Sequence, residues 1–165
     1  MALEINAVIT VAGVLVIGAI GCGSAAESAA AAPAVAEAQS YCSGVADEDR
    51  DRDPFADCAL IESVGELKDR EQHGKVWVDH VRGAEIALRA TPGMSTPWLE
   101  RMLRCHEARL QTTALADRER DPLAVDHPTV LVSEQETRFV VAIRGSTNED
   151  AREIVRRARA LQARQ

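Results

Sequence analysis

Aromatic residues are scarce: two Trp, one Tyr and two Phe make up 3% of the 165 residues. The core must therefore be filled by Val, Leu, Ile and Ala, with Trp77, Trp98 and Phe139 as its few large pieces. Catalytic signatures are missing as well. No GxSxG elbow activates a serine, and no serine or cysteine stands in a motif with a recognisable base and orienting acid. Nor is there a glycine-rich loop of the GxxxxGK[ST] or GxGxxG kind to cradle a phosphate. A basic surplus is lacking too: 19 Lys and Arg stand against 26 Asp and Glu, a net charge of -7. Phosphate contacts need clustered cations, so this balance argues against a nucleic-acid partner. The arginines near the C-terminus interleave with Glu on one helix, the pattern of a solvated face. These absences point to a protein that is not an enzyme.

What is present is 46% hydrophobic and 27% charged residues, the balance of one globular domain with room for a tether. Residues Ala7 to Ile20 form an uncharged apolar run as long as a signal-peptide core and short for a membrane span. Small residues and a cysteine follow at once. Here Ala19-Ile20-Gly21-Cys22 resembles the lipobox of bacterial lipoproteins, and the resemblance covers this junction alone. It implies a signal peptide over residues 1–21 and a Cys22 that is lipidated, palmitate included, and becomes the mature N-terminus. The domain would then sit in the periplasm, lipid-anchored to a membrane of the cell envelope. Gly23 lacks the Asp that retains such proteins in the inner membrane, so the resemblance favours the outer membrane. An uncleaved anchor reaching Ala26 is the alternative, and it too places the remainder outside the cytoplasm. Residues 22–40, rich in Ala, Ser and Glu and interrupted by Pro33, read as a linker.

Residues 41–75 read as an acidic N-terminal segment with a helix. Its densest part, Asp47 to Asp53, alternates acids like a calcium loop but fails as one. Counting from Asp47, the sixth position is Arg52 rather than Gly and the twelfth is Cys58 rather than Glu. Asp53-Pro54 has the form of a helix start, Leu60, Ile61, Val64 and Leu67 follow at helical spacing, and Gly74 would close the helix. A strand over Ala59 to Val64 is the alternative, because Gly65 interrupts the helical pattern.

Residues 76–165 read as two β-β-α units. In the first, Val76 to His80 and Ile86 to Leu88 are strands joined at Arg82-Gly83, and Thr96-Pro97 opens a helix with Trp98, Leu99, Met102, Leu103, His106 and Leu110 on one stripe. In the second, Val130 to Val132 and Phe139 to Ile143 are strands, and Ser146-x-x-Glu149 is a capping box for a helix with Ile154, Val155, Ala158 and Leu161 inward. Val76-Trp77-Val78 aligns with Val130-Leu131-Val132, and Ala87-Leu88-Arg89 with Ala142-Ile143-Arg144. Each unit alone leaves a sheet face bare. Together they predict an α+β two-layer sandwich, a four-stranded, mostly antiparallel sheet with two helices on one face.

With Cys22 lipidated, Cys42, Cys58 and Cys105 remain in an oxidising compartment. Cys42 and Cys58 enclose a short loop and form the preferred disulfide; Cys58 with Cys105 is the rival. A Cys105 thiolate beside His106, with His73 and His80 upstream, would suit copper or zinc. The same Cys105 and His106 also fit the apolar helix stripe as ordinary packing residues. Trp77 has opposite parity from Val76 and Val78, which places it on the uncovered sheet face with Glu85, Ala87 and Arg89, a surface suited to an envelope protein partner. Two functions follow: a membrane-tethered, non-enzymatic interaction module needing no cofactor, or a periplasmic metal-binding lipoprotein.

Overall fold

The computed structural model describes residues 39–111 and 118–164. The expected signal peptide, Cys22 and most of the linker lie outside the described residues. A short helix α1 (Asp47–Arg50) and a 3-10 turn (Cys58–Leu60) lead into β1 (Ile61–His73) and β2 (Val76–Arg89). Helix α2 (Thr96–Leu110), strands β3 (Thr129–Gln135) and β4 (Arg138–Arg144), and helix α3 (Asn148–Gln162) complete the order.

The four strands form one antiparallel sheet in the order β1-β2-β4-β3, so two hairpins join along their inner strands. Ala84, Ile86 and Leu88 of β2 and Phe139, Val141 and Ile143 of β4 are buried at alternate positions. They form one core with Leu99 and Leu103 of α2 and Ile154, Val155, Ala158 and Leu161 of α3. Both helices therefore cover the same sheet face, and the expected α+β sandwich is the observed one. Each fully buried Ile, Leu or Val adds about 1.5–3 kcal/mol of apolar burial.

Helix α3 begins one residue later than its sequence signal: Thr147 and Asp150 form the capping box, while Ser146 adds a third hydroxyl bond to Asp150 at 2.8 Å. Those hydroxyls, Thr147 first, hold the Asp150 carboxyl below its usual range.

Three expectations are corrected. The helix read from Asp53-Pro54 to Gly74 is strand β1, preceded by the 3-10 turn, and the sheet thus begins well before residue 76. The turn placed at Arg82-Gly83 lies instead at Gly74-Lys75, where Gly74 has φ 65° between the paired His73 and Val76. Val76 to Leu88 is consequently one continuous strand, and the structural counterpart of Val130–Val132 is β1.

Gly83 lies at an irregularity rather than a turn. The register steps between Leu67 and Lys68, which pair with Gly83 and Val81, leaving Arg82 as the extra residue of a bulge. A side chain at Gly83 would place Cβ 1.8 Å from the Ile143 carbonyl oxygen, so β4 packs this closely only against glycine. The bulged Arg82 carbonyl accepts the Gly145 N–H at 2.9 Å.

The disulfide is corrected as well. Cys42 pairs with Cys105, and Cys58 stands outside it as a half-buried thiol. Cys42 and Val45 pack on Met102 and Cys105, which brings the segment before the sheet onto α2. Cys58 opens a 3-10 turn at the head of β1 rather than riding a long helix, and neither expected pairing forms.

Candidate functional site

The bulge at Arg82 decides which side chains share a face. Cross-strand partners point the same way, and an extra residue inverts the parity of everything beyond it. On the core side of the bulge, Ala84 and Ile86 face the helices with their partners Glu66 and Val64. Beyond it, Val81, Asp79 and Trp77 take the helix side with Lys68, Arg70 and Gln72. Val81 duly packs on the core, and the Arg70 guanidinium lies 5.8 Å over the Trp77 ring. Trp77 is therefore on the opposite face from Glu85 and Arg89, against expectation. Glu85 and Arg89 do lie exposed on the open face, where Arg89 bonds Glu62 at 3.3 Å.

The hairpin end of β1 and β2 is the most exposed apolar part of the described chain. Val76, Trp77 and Val78 are 62%, 54% and 36% exposed, three consecutive residues among five large exposed hydrophobics. At its base the ribbon is clamped. Asp69 receives both terminal nitrogens of Arg144, at 2.6 and 2.8 Å, and Arg82 Nε at 3.2 Å. Arg144 pairs with Gly83, so the bare glycine leaves the arginine room to cross β2 toward β1. The Arg144 bonds hold the Asp69 carboxyl below its ordinary range, and this bidentate pair ties β1 to a strand that is not its neighbour.

The four residues expected to share a metal do not come together. His73 and His80 meet on the open face of the ribbon with Glu71, their donor atoms within 4.8 Å of one another. Cys105 is spent in the disulfide and supplies no thiolate. His106, next to it on α2, turns to a different cluster with Asp53 and Asp121. Its Nε2 is 2.6 Å from Asp121 Oδ2, and the two side chains are only 12% and 9% exposed. Asp121 Oδ1 accepts the Leu123 N–H at 2.8 Å, and Arg157 Nη1 donates to the carbonyls of Arg118, Asp121 and Ala124. These bonds pin the buried run Asp121 to Val125 against α2 and α3. Cys105 thus has a disulfide role rather than an ordinary packing one, while His106 is a nearly buried histidine satisfied by Asp121.

Glu71 joins the two histidines because its segment, whose spacing predicts a helix, is strand β1. Its signal is Glu71-x-His73, a spacing that puts both side chains on one face of a strand. A separate cleft of about 630 Å³ lies between Tyr41, Arg104, Glu107 and the His127-Pro128 pair just before β3. Burial pushes the Glu107 carboxyl up there, against the opposing pull of His127 and Arg104. Comparison with protein-family models, with curated proteins and with solved structures finds no match to the chain.

Proposed function

We propose that this protein is a lipid-anchored, non-enzymatic binding module of the bacterial cell envelope, which captures an envelope protein through the free end of its β1–β2 ribbon. The observation that carries this is the run Val76-Trp77-Val78, exposed on both faces of a ribbon whose base is locked by Asp69 and Arg144. Exposed contiguous apolar surface marks contact sites, and tryptophan is the residue type most often decisive in them. A stiff two-stranded ribbon presents Trp77 on one side and Val76 and Val78 on the other, a shape a partner can grip from both faces. The tether of this reading rests on Cys22 and the residues before it; among the described residues no helix is long and apolar enough to cross a membrane.

The test is site-specific photocrosslinking in cells, with the crosslinker at position 77 and, as a control, at Leu131, which is also exposed but lies on the far edge strand. Discrete adducts from position 77 that are absent from position 131 are expected. No adduct at 77, or the same adducts from both, would remove the ribbon as the contact surface.

A further inference from the structure

We infer that Glu71, His73 and His80 form a transition-metal site on the open face of the ribbon, suited to Zn²⁺, Cu²⁺ or Ni²⁺ and built from two imidazoles and one carboxylate. It uses none of the residues of the protein-capture reading, although Val76 and Val78 share its face and only Trp77 projects from the other.

The backbone fixes the arrangement. Glu71 and His73 are two apart on β1 and so point the same way. The two-residue turn at Gly74-Lys75 then returns the chain, with Asp69 pairing His80 and Glu71 pairing Val78, which sets His80 diagonal to Glu71 on that face. Glu71 Oε2 lies 3.6 Å from His73 Nε2 and 3.7 Å from His80 Nε2. A tetrahedral ion that holds nitrogen and oxygen at about 2.0–2.1 Å spaces its donors about 3.3 Å apart. Both gaps are too long for hydrogen bonds and only a few tenths of an ångström too long for shared coordination. The imidazole rings stand edge to face with centroids 6.1 Å apart, so neither blocks the other's nitrogen.

A second observation points to a ligand. His80 Nε2 is shut off from solvent and has no hydrogen-bond partner, although the side chain as a whole is 37% exposed. Only one other buried side-chain polar atom among the described residues shares that condition. A buried nitrogen without a hydrogen-bond partner is costly, and an ion placed between it, Glu71 and His73 removes that cost.

The neighbouring acid does not compete. Asp69, paired directly with His80, is already engaged by Arg144 and Arg82. Imidazole with a single carboxylate favours Zn²⁺, Cu²⁺ or Ni²⁺ over Ca²⁺ or Mg²⁺, which want more oxygens. Three ligands on an exposed face leave at least one position open to solvent, so the ion is exchangeable.

The experiment is titration of the full chain, stripped with chelator and held in detergent, with Zn²⁺ by calorimetry and with Cu²⁺ by tryptophan fluorescence. One ion per chain is expected, and Cu²⁺ should quench Trp77, which sits on the strand between Val76 and Val78. His73→Ala and His80→Ala should each weaken Zn²⁺ about 100-fold, the upper end of what losing even an outer-shell partner costs, and Glu71→Gln about tenfold. All three residues lie outside the hydrophobic core, so the variants should keep the parent's circular dichroism. Asp53→Asn, in the His106 cluster, should change nothing. Absence of binding, binding indifferent to both histidine changes, or binding lost in Asp53→Asn alone would each overturn the assignment.

Discussion

Cys42 and Cys105 come together with their Cα atoms 4.5 Å apart across a sequence separation of 63 residues, fastening the segment ahead of the sheet to the buried side of α2. Closing a loop of that length removes about 4 kcal/mol of unfolded-state freedom by the chain-entropy model. Reduction should therefore lower the unfolding midpoint substantially, and Cys42→Ser should reproduce the loss without reductant. Cys58→Ser should leave the effect of reductant intact. Peptide mapping without reduction gives a second reading: a fragment linking Cys42 to Cys105 is expected, and one containing Cys58 would show a different pairing.

His106 and Asp121 act as a rivet rather than a reactive pair. Their 2.6 Å contact, nearly closed to solvent, joins α2 to the loop that Arg157 grips through three carbonyls. His106→Ala leaves the buried Asp121 carboxylate one partner short and should cost about 1–3 kcal/mol. Arg157→Ala should cost a similar amount, and the double variant less than the sum, because both changes free the same loop. Urea midpoints of the four proteins measure this. Strict additivity would mean that the two side chains hold separate structures.

The parts of the fold that could be read from sequence are those where one periodicity stands alone. Phe139, Val141 and Ile143 alternate without interruption, and Ile154, Val155, Ala158 and Leu161 keep helical spacing, because each segment buries one continuous face. Strand β1 does not. A register shift between Ile61 and Ser63 breaks its alternation at the start. Its helix-side positions past Val64 are Glu66, Lys68, Arg70 and Gln72, beyond the reach of much of the core. What remained apolar, Leu60, Ile61, Val64 and Leu67, imitates a helix. The site suffered for the same reason. His73 and His80 were recognisable as ligand types, but Glu71 was hidden inside the supposed helix. Cys105 and His106 looked like one pair, yet neighbours on a helix point about 100° apart, one here toward Cys42 and the other toward Asp121.

Gly83 and Gly65 provide a contrast within one hairpin. Gly83→Ala would drive Cβ to 1.8 Å from the Ile143 carbonyl oxygen, a backbone atom that cannot swing aside. A cost of about 3 kcal/mol or more is expected, at the top of the overpacking range, since β2 and β4 must separate. Gly65→Ala meets nothing within 4 Å and should change stability by less than about 0.5 kcal/mol. Arg144 must also cross the bare backbone at Gly83 to reach Asp69, so Gly83→Ala should loosen the ribbon as well. Faster amide exchange along Glu71 to Val78 in that variant would report it. Equal stability losses at the two glycines would show that the close approach of β4 carries no weight.

Acid should weaken the fold through Glu153. Bonds from Arg156, and then Arg157, lower its carboxyl from 4.5 to about 2. A carboxyl depressed in the folded state contributes stability above its unfolded value and loses it as pH falls toward the folded one. The window here runs from 4.5 down to about 2. Asp69, Asp150 and Glu66 are shifted in the same direction and deepen the parent's decline. Comparison with Glu153→Gln isolates the one group. At neutral pH the variant should be less stable by about 1–2 kcal/mol, allowing for solvent screening at a partly exposed site. On acidification the two urea midpoints should converge, because the parent then loses what the variant already lacks. A gap that stays constant from neutral pH to the bottom of the window would mean that the arginines on α3 hold Glu153 by geometry alone, with no contribution from its charge.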